Sequence, residues 1–304
     1  MLGFAKNGDT TGGFYGPIVY ITNLNELHHY ITDTKPRTLV ISENIFAPQK
    51  TVLILGANKS LIGSWNANII NNVYFYSSPR SENIIFQNLY FKHDIENIEN
   101  GETQLILVYG QRYWIDHCTF DGDIVNENDL GKLLKVSGNV DYVTLSNSKF
   151  MNHMYGLILG YPDDDPSLIE QYDNYPRMSI MFNFFDNIHV RAPGLMRFGK
   201  YHVYNNYINN YHLGFTIGFQ SKIYSEYNYF SDSGVNNAVL DDKGNGYFKD
   251  VGSKNMPNNQ KSKTTSWYPS SDYSYVIRDP EYSREFCTKF SGSQNQELVF
   301  GGGS

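Results

Sequence analysis

The chain has 304 residues, a formal net charge of −7 and an aromatic content of 15%. That charge argues against a nucleic-acid surface, which needs a basic stripe, and leaves an acidic sugar open as a ligand of local arginines and lysines; no apolar run approaches the roughly 20 residues of a membrane span. The two cysteines, Cys118 and Cys287, lie far apart in the chain and no histidines pair at ligand spacing, which argues against zinc and favours two buried thiols over a bridge.

In chain order, a glycine-rich opening (residues 3–13) leads into a helix candidate over residues 23–32 (NLNELHHYIT). Strand-like segments then recur at 84–91, 113–120, 143–150, 178–185, 201–208 and 223–230, each ending in a bulky residue. Their ends are 29, 30, 35, 23 and 22 residues apart. A period in the low twenties, lengthened by insertions, is the pattern of a coil in which each turn stacks on the one before. Within a segment apolar and polar residues alternate, as a strand with one buried face requires. Asn183, Asn206 and Asn228 hold the same place in three successive segments. Stacked asparagines can bond to one another and to the turn backbone, so they predict an internal ladder in an all-β, single-stranded right-handed parallel β-helix. Residues 250–272 are polar and read as a surface loop. The terminal GGGS of residues 301–304 reads as a linker.

Two segments, 113–120 (YWIDHCTF) and 191–206 (RAPGLMRFGKYHVYNN), resemble the landmark segments of the pectate lyase/pectin lyase family. The likeness extends from Gly3 to about Gly292. It implies secreted enzymes that cut acidic plant polysaccharides by β-elimination, here as one β-helix domain over residues 1–300. The helix at 23–32 would cap the open end of the coil, and a C-terminal segment at about 267–292 would pack back on it. The opening resembles a mature start after signal-peptide removal, and a monomer is expected.

The resemblance also assigns site residues. Arg191 stands at the family's first arginine of R-x-P-x-x-R, the base that takes the sugar proton. Arg197 is displaced by one residue from the second arginine, so strand alternation would turn it to the other face unless a bulge absorbs the shift. The family's calcium acids fall at Glu102 and Gln104, and at Gly131 and Lys135, so one acid of four remains and Lys135 places a positive charge where calcium would sit. Calcium wants six or more hard oxygens, which predicts no metal and no cofactor at the usual site; the acidic loop Asp121, Asp123, Glu127 and Asp129 keeps weak ion binding open. Tyr155 replaces the family's lysine and could offer a hydroxyl but no charge at neutral pH. Tyr161, Tyr172 and Tyr175 flank a loop that would overhang the groove, where aromatic faces stack on sugar rings. Trp114, Asp116, His117 and His153 read as wall residues. Two functions stay open on this account: a calcium-independent lyase of an acidic or methyl-esterified polyuronide, with Arg191 as base, Lys135 in place of calcium and Arg197 or Tyr155 assisting, or a catalytically silent β-helix that binds glycans or serves as a rigid surface protein.

Overall fold

The computed structural model describes residues 1–92, 103–122, 131–232 and 238–295. It is a parallel β-solenoid of about eight turns. Leu39, Leu61, Phe86, Ile115, Leu145, Ile180 and Val203 stand in register on successive coils, all buried. Leu61, Phe86, Ile115, Leu145 and Ile180 each pair with a coil on either side, so the backbone ladder there is satisfied by the neighbouring coils.

Each segment that reads as one strand is in fact two, joined by a bend. Residues 113–120, for example, divide into Gln111–Asp116 and Thr119–Asp121. The bend holds a left-handed residue: Asn88, His117, Asn147, Phe182, Asn205 and Tyr227 have φ between +47° and +56°. Asparagine tolerates that conformation better than other non-glycine residues do, and three of the six are asparagine.

From Ser148 onward the residue after each bend carries the internal ladder. Asn183 Nδ2 donates to Asn206 Oδ1 at 3.0 Å, and Asn206 Nδ2 donates to Asn228 Oδ1 at 2.9 Å. The same oxygens accept the backbone N–H of Asn183 and Asn206. Serines extend the series at both ends, because Ser148 N donates to Asn183 Oδ1 and Asn228 N donates to Ser253 Oγ. The expected asparagine ladder is therefore present, and it closes the hydrogen bonds of buried turns that water cannot reach. Beside it the bulky segment ends form a second column. Phe91, Phe120, Phe150 and Phe185 stack face to face with centroids 4.8, 4.7 and 5.1 Å apart.

A helix near the N-terminus joins the core and a C-terminal one packs along the bends. In the helix Leu24–Ile31 Asn23 accepts from Glu26 N and Glu26 accepts from Thr22 N, a reciprocal capping pair, while Leu27 and Ile31 join the core. The C-terminal helix Pro280–Phe290 and the residues flanking it run back along the bends. Arg278 N donates to Asn205 Oδ1, Ser291 Oγ to the Phe182 carbonyl, Gly292 N to the Asn147 carbonyl and Gln294 N to Asn88 Oδ1. Cys118 and Cys287 are buried free thiols.

Two readings need correction. The loop expected over 250–272 begins too early, since the last strand is Tyr247–Val251. The first coils also contain two long strands, Ile45–Gly63 and Ile69–Gln87, of which the strand-like segment 84–91 covers only the end of the second. Register shifts between Phe46 and Thr51 and between Leu55 and Ala57 interrupt the alternation that would have marked the first of them.

Candidate active site

The outer surface of one wall is formed by three short strands. Leu134–Val136, Leu157–Leu159 and Leu195–Met196 pair in register, Lys135 against Ile158 and Ile158 against Leu195. Leu134, Val136, Leu157, Leu159 and Met196 are buried inside the coil. Alternation therefore sends Lys135 outward, as the resemblance implies.

At the corner where the chain enters these strands, three coils bring three side chains together. Lys132 precedes Leu134–Val136, Tyr155 ends the strand Lys149–Tyr155, and Arg191 follows the strand Phe184–Val190. The Lys132 ammonium lies 5.2 Å from the centroid of the Tyr155 ring, and the Arg191 guanidinium carbon lies 4.9 Å from it. Arg191 adopts a left-handed backbone, φ +68°, and its carbonyl accepts from Leu157 N. That carbonyl packs so closely on Gly156 that a Cβ there would come within 2.4 Å of it, so only glycine fits beneath the arginine.

The electrostatics of this corner are one-sided. Nη1 of Arg191 is buried and has no hydrogen-bond partner among the described residues. Burial draws the Arg191 pKa below the usual arginine value; Tyr155 opposes the shift and the charge of Arg197 adds to it. Burial likewise draws Lys132 down, and the charges of Arg191 and Lys135 draw it further. Arg197 lies outside the coil: Met196 points inward, and Arg197 forms an ion pair with Asp164 of the overhanging loop. The chain turns through buried Ala192, Pro193 and Gly194 between the two arginines. That turn resets the alternation, so the one-residue displacement does not turn Arg197 into the core.

The other expected site residues fall as follows. Tyr161 and Tyr172 stack on each other, with centroids 4.1 Å apart and planes at 14°, and both lean edge-on against Phe198. Each ring thus uses one face on its neighbour. Tyr175 is outside that stack, half-buried at the start of the strand Asn174–Met181. Glu102 lies outside the described residues, as do Asp123, Glu127 and Asp129. Asp121 is taken up by the wall, accepting from Tyr90 Oη and Asn152 Nδ2. Gln104 is buried and donates to the Asp121 carbonyl.

The four wall residues are placed as such. His153 is buried with Nε2 3.0 Å from the Gly131 carbonyl. Asp116 accepts from Ser146 Oγ, Asn147 Nδ2 and Gln87 Nε2 and pairs with His117, and Trp114 donates to Ser146. Burial works to raise the Asp116 pKa, but His117, Ser146 and Asn147 outweigh it and hold the carboxyl below its usual range.

Among the described residues the side chains at this corner offer calcium few hard oxygens. Lys132 and Lys135 flank the place, Gln104 is the single oxygen-bearing side chain described at the family's acid positions, and no group of three or more His, Cys, Asp and Glu side chains among the described residues is arranged to hold a metal. Lys132 is the residue that sequence reasoning missed. It stands in the run Lys132-Leu133-Leu134-Lys135, where two buried leucines separate the lysines, but nothing in that run names the ring it meets.

The family profile described as pectate lyase matches residues 1–296. A pectin lyase of Bacillus subtilis is 48% identical over 99% of this chain and 90% of its own length, and one of Pseudomonas marginalis is 45% identical over 99% and 96%. Among solved structures, a pectate lyase from Bacillus sp. N165 in complex with trigalacturonate superposes with a TM-score of 0.80 at 23% identity, covering 96% of this chain and 98% of that one. A pectate lyase bound to a hexasaccharide gives 0.83 at 18% identity, covering 97% of each. No helix among the described residues is long and apolar enough to cross a membrane. The profile match and the full-length identities place the chain in the pectate lyase family.

Proposed function

We propose that this chain, a member of the pectate lyase family, cleaves methyl-esterified polygalacturonate by β-elimination without calcium, outside the cell. The observation that carries the reading is the guanidinium of Arg191, half-buried among cations with one nitrogen unpartnered. A guanidinium held in water stays protonated and is no base. One that is desolvated and faced by other positive charges has a larger neutral fraction. Neutral Arg191 would take the proton from C5 of the sugar. The electron pair left behind forms the C4=C5 double bond, the C4–O bond breaks, and the departing oxygen collects a proton from solvent.

Before that bond breaks, negative charge flows into the C6 carbonyl, which needs an electrophile. In a methyl ester that carbonyl is already neutral, so the ammonium of Lys135 suffices. A free carboxylate carries a full charge and demands more, typically a dication, and the donor set here does not suit calcium. The names of the full-length relatives, pectin lyases, support the same substrate. Arg197, already paired with Asp164, contributes long-range positive charge. The stacked Tyr161 and Tyr172 would offer their remaining faces to a sugar ring.

The test is the absorbance of unsaturated uronate products from highly methylated and from unmethylated polygalacturonate. The expected outcome is turnover of the methylated polymer at a higher kcat/KM. Absence of product from both, with binding retained, would leave a silent glycan-binding β-helix in its place.

A further inference from the structure

We infer that Lys132 is a positioning residue for this reaction: it shares the Tyr155 ring with Arg191, and its positive charge drives Arg191 toward the neutral, proton-accepting form. The inference rests on the reading of Arg191 as the base.

The geometry fixes Lys132 beside the Tyr155 ring. Its backbone is pinned to the preceding coil on both sides, Lys132 N donating to Thr103 Oγ1 and the Lys132 carbonyl accepting from Gln104 N. The next two residues, Leu133 and Leu134, are buried. Its ammonium has no ion pair or hydrogen bond among the described residues; its contact is the face of Tyr155 at 5.2 Å. Arg191 approaches the same ring from the following coil at 4.9 Å. A neutral aromatic face attracts both cations, so the ring brings the two like charges to one place. Burial lowers the pKa of the lysine and the charge of Arg191 lowers it next, whereas Arg191 is itself lowered by burial and by the charge of Arg197. Coupling of this kind is reciprocal.

This assigns Tyr155 a part different from the one its hydroxyl suggests. Among the described residues its hydroxyl makes no hydrogen bond, whereas its ring meets both cations. A lysine at this position would add a third positive charge without a surface to hold the other two. The tyrosine supplies the surface instead.

The experiment has two arms on the purified full chain. In the first, kcat/KM on methylated polygalacturonate is followed against pH for wild type, Lys132→Met, Lys132→Arg, Tyr155→Phe and Tyr155→Leu. Removing a like charge should move the alkaline-rising limb upward by about one pH unit in Lys132→Met, with about a tenfold loss of kcat/KM below it. Lys132→Arg should restore the limb, Tyr155→Phe should keep the wild-type limb position, and Tyr155→Leu should displace it. A limb that stays in place when Lys132→Met lowers kcat/KM would overturn the inference, as would loss of turnover in Tyr155→Phe. In the second arm the Lys132 ammonium is titrated by the NMR shift of its Cε in wild type and in Arg191→Leu. The lysine pKa should rise by about one unit in the variant, and an unchanged value would overturn the coupling. This arm needs no turnover, so a wild type inactive on every polymer would refute the lyase reading while the coupling is still decided.

Discussion

The inner wall and the cationic corner of this molecule use polar groups in opposite ways. In the wall every buried asparagine of the ladder is both donor and acceptor to its neighbours, and the phenylalanine column beside it is closed face to face. At the corner a half-buried arginine keeps a nitrogen without a partner among the described residues, shares the Tyr155 ring with Lys132 and feels the charge of Arg197, which is itself paired with Asp164. Burying unpaired charge costs stability unless something else requires it. Of the four buried side-chain atoms left without a partner among the described residues, on Asn71, Asn72, Gln104 and Arg191, the arginine nitrogen alone belongs to a charged group, which marks the corner as a place where chemistry outranks stability.

The contrast can be broken first in the wall. Phe150 stacks on Phe120 below and Phe185 above, so Phe150→Ala should lower the unfolding free energy by about 3–5 kcal/mol in a denaturant titration. Asn206→Ala comes next. It removes the acceptor for both Asn183 N and Asn183 Nδ2 and the donor to Asn228, leaving buried groups unpaired at a cost of ~3 kcal/mol. A loss below about 1 kcal/mol in either variant would mean that the ladders follow from the coil and do not hold it.

A smaller effect concerns the face where residues 273–275 pack. His202 is buried, with Nε2 on Glu226 and Nδ1 on Tyr273 Oη, and Tyr273 Oη also meets Ser179 Oγ. Burial holds its pKa below the ordinary 6.5, although Glu226 works against the shift. The unfolded chain therefore binds the proton more readily than the folded one, so this contribution to stability is complete above pH 6.5 and declines as pH falls below it. Melting temperature should drop with acidification across that window in wild type and less so in His202→Gln. The smallest effect is expected from chelation, which should leave both melting temperature and turnover unchanged. Stabilisation by added calcium would show a ligand selective for the folded state and would reopen the acidic residues between 121 and 130.

How much of this was legible in the sequence follows the range of the interactions involved. The asparagine ladder was legible because its members recur at coil spacing, and the two buried thiols because Cys118 sits within a strand pattern. The bends were not, since a left-handed Phe182 or Tyr227 carries no sequence mark of its conformation. The long strands of the first coils were hidden by register shifts. At the corner, Arg191, Lys135 and Tyr155 were found through family motifs. Lys132 was not, because its part depends on which ring the neighbouring coil sets beside it, and register between coils is not written in either segment alone. Tyr161 and Tyr172 were expected to face a groove, and their mutual stacking arises from a loop folded by contacts more than thirty residues apart, such as Asp164 with Arg197.

The measurement that tests the central contrast most directly is Arg191→Leu assayed twice on one preparation, for kcat/KM on methylated polygalacturonate and for unfolding free energy. The account predicts that turnover falls by at least about a thousandfold while stability changes by less than about 1 kcal/mol, or increases as an unpaired buried charge is removed. A variant that keeps its turnover but loses several kcal/mol would contradict it, making Arg191 a brace of the coil like the asparagines of the wall.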